Sequence, residues 1–194
     1  MDRREEIYEK TLELFFEKGY DKTSLSEIAT ALNLTKGGLY HYFSSKEELL
    51  FTAHTANVEK EFIPVLDKAE KIFDPEERIK FFIKNYTVNS LARNPSIKIV
   101  VQEVKNLKPD FQKKILRVWR RAFDLIRDAL SELEDAGRIR KINKTFATFA
   151  ALGMCSWTFY WFDYGRKESA EELADTYITI FFDGIKSGNE SNLG

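Results

Sequence analysis

Apolar residues recur every three or four positions through most of the chain, and β-branched runs of period two are scarce. That spacing predicts an all-α protein of about nine helices. A first helix is expected over residues 2–18, with Ile7, Leu12, Leu14, Phe15 and Phe16 inward and Gly19 as its stop. Ser24-Leu25-Ser26-Glu27 has the spacing of a capping box and opens a second helix to about Leu32, burying Ile28, Ala29 and Leu32. Asn33-Leu34 turns the chain, and Thr35 caps a short third helix. Ser45-Lys46-Glu47-Glu48 reads as a second capping box, opening a longer fourth helix that Pro64 kinks or breaks. Asp74 and Pro75 stand as N-cap and first residue of a helix to about Arg93. Asn94-Pro95 breaks it, a short helix follows through Lys105, and Lys108-Pro109-Asp110 opens a long one ending near Gly137. Two more helices are expected over 143–164 and 168–187, and the small polar residues 188–194 fray.

The third of these helices carries chemistry. Two adjacent glycines, Gly37 and Gly38, cost roughly 1 kcal/mol each inside a helix. A helix this short gains from them a close approach of its backbone to a groove. Tyr40, His41 and Tyr42 crowd the same turn, and Lys36 and Lys46 flank it. A recognition helix preceded by two helices is the order of a helix-turn-helix domain.

Charge argues both ways. The 194 residues carry a formal net charge of −1, far from the basic balance of a chain that merely coats nucleic acid. Acids outnumber bases over residues 1–50, yet none lies between Thr35 and Lys46, and charge at the contact face decides. The lone cysteine, Cys155, leaves no internal disulfide and fits a reducing, cytoplasmic compartment. The start is charged from Asp2 to Glu6, so no signal peptide is expected there. The longest apolar run, residues 146–162, reaches about 17 residues and holds Thr, Ser and Gly, so no membrane span is expected.

Residues 5–50 resemble the TetR/AcrR family of transcriptional regulators. The resemblance lies in Thr23-Ser24-Leu25-Ser26-Glu27-Ile28-Ala29, then Leu34-Thr35-Lys36-Gly37-Gly38-Leu39-Tyr40-His41-Tyr42-Phe43, then Ser45-Lys46-Glu47-Glu48-Leu49-Leu50. It implies an N-terminal three-helix helix-turn-helix DNA-binding domain and a C-terminal helical ligand-binding and dimerisation domain. It also implies a homodimer built on the last two helices. Expected bounds are 1–48 for the DNA-binding domain, 49–188 for the second, and 189–194 for a flexible tail. Farther along, Gly153-Met154, Trp157, Trp161 and Glu171-Glu172-Leu173-Ala174 resemble FadR-like, acyl-CoA-responsive members. Asp163-Tyr164-Gly165-Arg166 departs from them where proline is frequent.

Thr23, Ser24, Thr35, Lys36, Gly37, Gly38, Tyr40, His41, Tyr42 and Lys46 are the expected contacts to a near-palindromic double-stranded operator. Lys36 suits guanine O6 and N7, or is a solvated charge. The Tyr40 and Tyr42 hydroxyls suit phosphates, or the rings pack inward. His41 points the same way or is plain surface. Thr23, Ser24, Thr35 and Lys46 stand at helix starts, where phosphates meet free N–H groups, although Ser24 is equally a simple cap. Leu25, Ile28, Leu32, Leu34, Leu39, Phe43 and Leu49 are core.

The second half is rich in aromatics, most of which must be core or interface. Phe82, Tyr86, Gln102, Ile115, Trp119, Phe123, Phe149, Met154, Trp157 and Trp161 are the candidate pocket for a small apolar effector, with a fatty acyl-CoA as the branch suggested by resemblance. Phe146, Ala150, Gly153, Leu173, Ala174, Tyr177, Ile178 and Phe181 are the candidate homodimer interface. The basic set Lys113, Lys114, Arg117, Arg120, Arg121, Arg138, Arg140 and Lys141 is a solvated face or a landing site for coenzyme A phosphates. An effector lowers DNA affinity only by preferring the DNA-incompetent conformer, and the place to transmit that preference is the helix end near Phe62–Leu66.

An enzyme is disfavoured, because His41 and His54 are the only histidines and no nucleophile set, metal spacing or phosphate loop is visible. No cofactor is expected. A regulator of a multidrug efflux or aromatic-compound operon is the alternative within the same class. Its pocket would want carboxylates, and Glu103 is the one candidate. A helical adaptor that has lost DNA binding sits poorly with the intact capping boxes and both lysines.

Overall fold

The computed structural model describes residues 3–91, 103, 107–161 and 169–186, the side chains of Ala53, Asn57, Phe159, Tyr160 and Trp161 set aside. Helices run over α1 (Arg3–Lys18), α2 (Leu25–Ala31), α3 (Lys36–Tyr40), α4 (Lys46–Asn57), α5 (Ile63–Ala69), α6 (Pro75–Leu91), α7 (Pro109–Asp135), α8 (Lys144–Trp161) and α9 (Ala170–Ile185). No strand occurs among the described residues, only an isolated bridge between Ile139 and Lys186. The expected short helix before Lys105 and the tail 188–194 lie outside the described residues, although Glu103 is helical. One element differs in kind from expectation. Before Pro64 the chain does not break but widens into a π turn, Val58–Phe62.

Local chemistry accounts for the ends. Gly19 stops α1 at φ +89°, and its N–H returns 2.9 Å to the Phe15 carbonyl. Ser24 and Glu27 form the full capping box of α2. The carboxyl of Glu27 is held down at about 2, first by the Ser24 backbone N–H and then by Lys18. The start of α4 departs from the expected box. Ser45 accepts from the Glu48 N–H, but the Glu48 carboxylate reaches back to Ser44, at its N–H and its hydroxyl, rather than to Ser45. A new capping box, Ser169 with Glu172, opens α9.

Packing divides the chain into two units, Met1–Glu61 with Arg93–Arg117, and Phe62–Ala92 with Val118–Gly194. In the first, α1 packs on α2 and α4, and α2 on α3. Ile7, Phe15, Ile28, Leu39, Phe43, Leu49 and Leu50 fill its core. Phe111, at the start of α7, lies flat on Phe51 of α4 with centroids 4.0 Å apart.

In the second unit α6 is central, with α5, α8 and α9 around it. Ile79, Phe82, Ile83, Leu66, Ile126 and Ala174 are fully buried there. Ion pairs tie α7 to its neighbours: Arg121 to Asp67 and Glu70, both at 2.6 Å, and Arg78 to Glu132 at 2.6 Å. At one end Glu76 collects Lys80, Arg138 and Lys186 within 3.0 Å. Beside it the Arg140 N–H donates 3.0 Å to the Ile185 carbonyl.

Candidate nucleic-acid interface and sensor core

The recognition segment is a five-residue helix held by its caps. Thr35 accepts from the Gly38 N–H at 3.0 Å, and Asn33 makes the preceding turn at φ +54°. Leu39 and Phe43 are buried beneath, so the opposite face is turned out. Lys36, Gly37, Tyr40 and His41 are exposed, and Gly38 and Tyr42 are half-buried. Lys36 Nζ stands 5.9 Å from the Tyr40 ring centre, and His41 meets Tyr42 edge-on at 5.7 Å. Lys36, Gly37, Tyr40 and His41 share the exposed face of α3 and the residue that caps it.

The two glycines differ. A Cβ on Gly37 would meet only the Thr35 hydroxyl, at an ordinary 3.9 Å. A Cβ on Gly38 would come within 3.2 Å of that same capping oxygen. The fold therefore explains part of the need for Gly38 and none of the need for Gly37.

Two expected contacts take other roles. Thr23 is 1% exposed, and its hydroxyl donates 2.9 Å to the Gly19 carbonyl, so it fastens the end of α1 and cannot reach DNA. Lys46 donates to the carbonyls of Tyr20 (2.5 Å) and Thr23 (2.9 Å) and lies 4.1 Å over the Tyr20 ring. Burial lowers its pKa against the pull of Asp21 and Glu103. It is half-buried, so part of the ammonium still faces solvent. Ser24 is exposed but its hydroxyl accepts from the Glu27 N–H at 3.2 Å.

In the second unit, Phe82, Tyr86 and Trp119 come together around a residue expected only as part of a helix end, Phe62. Its ring lies 5.1 Å from both Tyr86 and Trp119 and 6.1 Å from Phe82. The Tyr86 hydroxyl is 3.4 Å from Ser156 Oγ, and burial pushes the phenol well above its ordinary range despite that hydrogen bond. Ser156 was unmarked, although a serine inside the run Gly153–Phe162 is a visible polar exception. Cys155 beside it is buried, which pushes its thiol up to about 11 and keeps it inert.

The other pocket candidates scatter. Ile115 is buried in the first unit. Phe123 meets Phe149 at 5.2 Å, and Met154 is half-buried. Phe149 and Trp157 are 60% and 63% exposed, on the outer face of α8 with Phe146 at 71%. Gln102 and the Trp161 side chain lie outside the described residues.

That outer face also holds Ala150 and Gly153, both exposed, so these interface candidates share one stripe with Phe146. On α9, Leu173, Tyr177 and Ile178 are half-buried, and the Tyr177 hydroxyl is 2.7 Å from Thr158 Oγ1. Ala174 and Phe181 correct the expectation. They are 0% and 6% exposed because α9 lays that stripe on α6, inside its own chain. Ile180, 59% exposed, lies on the outward side instead.

The basic set is likewise not one patch. Arg121 is held by Asp67 and Glu70, Arg138 by Asp74 and Glu76, and Arg140 by the Gly184 carbonyl. Lys114 lies over Phe51.

Comparison with known proteins identifies this arrangement. The model of bacterial regulatory proteins of the tetR family matches residues 7–53, and that of the tetracyclin repressor-like C-terminal domain matches residues 73–185. The chain belongs to the TetR family. Among solved members, AibR in complex with isovaleryl coenzyme A and operator DNA is 28% identical, with a TM-score of 0.86, over 93% of this chain and 98% of that one. The TetR-family regulator PfmR from Thermus thermophilus is 30% identical, with a TM-score of 0.84, over 93% and 99%. The biofilm operon negative regulator IcaR of Staphylococcus epidermidis is 29% identical over 123 residues, which is 55% of this chain and 65% of IcaR. The curated relatives are matched in part: 65% of the length of IcaR and 21% of another. No helix among the described residues of this TetR-family chain is long and apolar enough to cross a membrane.

Proposed function

We propose that the chain is a homodimeric transcriptional repressor that leaves its operator when an apolar effector, a fatty acyl-CoA, binds the second unit. Residues 1–48 read the DNA, and 49–188 bind the effector and the second copy. The observation that carries the DNA half is Gly37, a helix-weakening residue on an exposed turn whose own surroundings have room for a side chain. A groove wall pressed against α3 is what takes that room. Lys36, Tyr40, His41 and Tyr42 surround it, with donors for base edges and phosphates.

Effector chemistry follows from the rings of Phe62, Phe82, Tyr86 and Trp119, with Tyr86 and Ser156 offering the polar atoms for a carbonyl. A short or branched acyl group would displace these rings. The likeness to AibR, solved with isovaleryl coenzyme A and operator DNA, supports that class. Repression is supported by the likeness to IcaR, a negative regulator. The scattering of the basic set leaves the coenzyme A phosphates to exposed residues such as Arg117, Arg120 and Lys141.

Fluorescence anisotropy of a labelled probe from the upstream region of the gene tests the reading. Isovaleryl-CoA and palmitoyl-CoA are titrated in, with free fatty acid and coenzyme A as controls. Release by an acyl-CoA alone is expected. Binding that no acyl-CoA disturbs would remove the effector class and leave the DNA reading standing.

A further inference from the structure

The turn that aims the recognition helix is held from outside itself. α2 ends at its C-cap Leu32, with ψ 4°, and Asn33 follows at φ +54°. Those two angles flank a single peptide plane. Beyond it, only Leu34 separates Asn33 from Thr35, the cap of α3. A peptide is flat and stiff, so rotating this plane swings everything that follows. The N–H groups of the turn fold back on α2: Asn33 donates 3.1 Å to the Thr30 carbonyl, and Leu34 donates 2.8 Å to that of Ala29. At the other edge of the plane stands the Leu32 carbonyl, one of the acceptors that a helix end leaves to be matched from elsewhere.

Arg3 matches it. Its Nη2 donates 2.9 Å to the Leu32 carbonyl, 29 residues farther along the chain, while Nη1 donates 2.6 Å to Glu6 Oε2. A guanidinium carries its donors in a planar fork, so a carboxylate on one prong orients the other. Ile7, next along α1, is fully buried, which seats this start of α1 in the core of the same unit. The Leu32–Asn33 peptide is thus held at both edges, by Thr30 from within α2 and by Arg3 from α1. Lys46 grips the carbonyls of Tyr20 and Thr23, before α2 begins, so Arg3 is the contact that bears on the turn. The Arg3 side chain is 38% exposed, so shortening it opens no cavity.

We propose that Arg3 is a positioning residue for operator recognition, whose guanidinium locks the Leu32–Asn33 peptide and with it the aim of Lys36, Tyr40 and His41. This rests on the DNA-binding reading above and adds a residue off the contact face on which discrimination depends. Phosphates repeat along any duplex and carry no sequence information, so contacts to them survive a small rotation of α3. Base edges present donors and acceptors at fixed places, and contacts to them do not survive it. Loss of Arg3 therefore lowers discrimination rather than general affinity.

The test is Arg3→Gln in the full chain. Anisotropy is followed with the upstream DNA probe and with an unrelated duplex of equal length, each over a salt series, and amide exchange at Asn33 is read by NMR. The Kd for the upstream probe is expected to rise about fivefold or more, while that for the unrelated duplex stays within about twofold. The salt slope should hold, and the Asn33 amide should exchange faster. A loss shared equally by both duplexes, with a slope lower by about 1, would make Arg3 a phosphate contact and overturn the positioning role. An unchanged Kd for the upstream probe, or unaltered exchange at Asn33, would overturn it as well. A wild-type chain that binds the upstream probe no better than the unrelated duplex would overturn the DNA reading and this inference with it.

Discussion

Lys46 Nζ lies 4.1 Å above the ring of Tyr20 and donates at 2.5 Å to the carbonyl of the same residue. The lysine thus fastens the start of α4 to the connection between α1 and α2, and with it the frame behind the recognition helix. Two of its three N–H donors go to Tyr20 and Thr23, leaving one for a phosphate. Lys46→Ala should therefore lower Tm and weaken binding to all DNA sequences alike, and should reduce the slope of log Kd against log salt by about 1. Weakened binding with an unchanged slope would assign the whole effect to the tether.

Gly37→Ala should act in opposite directions on fold and function. Alanine gains up to about 1 kcal/mol in a helix interior, and its Cβ meets nothing closer than 3.9 Å. Tm should rise or hold while operator affinity falls. Gly38→Ala should not separate the two so cleanly, because its Cβ crowds the Thr35 cap at 3.2 Å. Thermal melts beside anisotropy titrations of both variants decide it, and a Gly37→Ala variant that binds as the wild type does would take the close approach away from Gly37.

What the pattern made legible was local. The caps at Ser24 and Thr35, the stop at Gly19 and the buried face of Leu39 and Phe43 depend on residues within a turn or two. The burden on Lys46 was not legible, since its acceptors come from chain 23 and 26 residues away, whereas the Thr23 bond to the Gly19 carbonyl, four residues back, is local and was overlooked. The helix α9 carries a polar arc of Glu171, Glu172, Asp175 and Asp183, but the rest of it is a wide apolar arc, so spacing could not say whether the stripe of Ala174 and Phe181 packs within its own chain or against a second copy. Phe62 was seen as part of a helix end and not as a wall, because only the fold brings Phe82, Tyr86 and Trp119 to it.

The exposed stripe on α8 should be where two copies meet. Phe146, Phe149 and Trp157 leave most of their rings in water, and Gly153 between them has open space around its Cβ. Aromatics of this size dominate interface energetics, and a small residue among them lets backbones approach. Trp157→Glu should halve the mass found by sedimentation at micromolar concentration while keeping the helix content of the protomer. A dimer that survives it would move the interface off this stripe.

His54 should make stability fall in mild acid. Burial pushes its pKa down from 6.5 to about 4. Above pH 6.5 neither folded nor unfolded chain is protonated at this site. Between 6.5 and 4 the unfolded chain takes a proton that the folded chain refuses, so stability drops as pH falls, and the slope ends below about 4. The total is of order a few kcal/mol. His54→Leu should flatten the Tm profile across that window, and an unaltered profile would show that the imidazole is solvated.

Glu76 should govern a second, more acid window. Burial alone would raise its carboxyl, but hydrogen bonds from Lys80, Lys186 and Arg138 outweigh it and hold the group at about 2. A carboxyl depressed from 4.5 contributes stability above pH 4.5 and loses it as pH falls through 2. The three cations come from α6 itself, from the connection after α7 and from the end of α9, so one carboxylate joins three segments. Glu76→Gln leaves those cations facing one another. At pH 7 it should cost about 1–3 kcal/mol, less than a fully buried pair because the cations are partly in solvent. The gap in Tm between wild type and variant should narrow from pH 4.5 downward and close near 2. A gap that stays constant over that range would mean the loss is one of shape and not of charge.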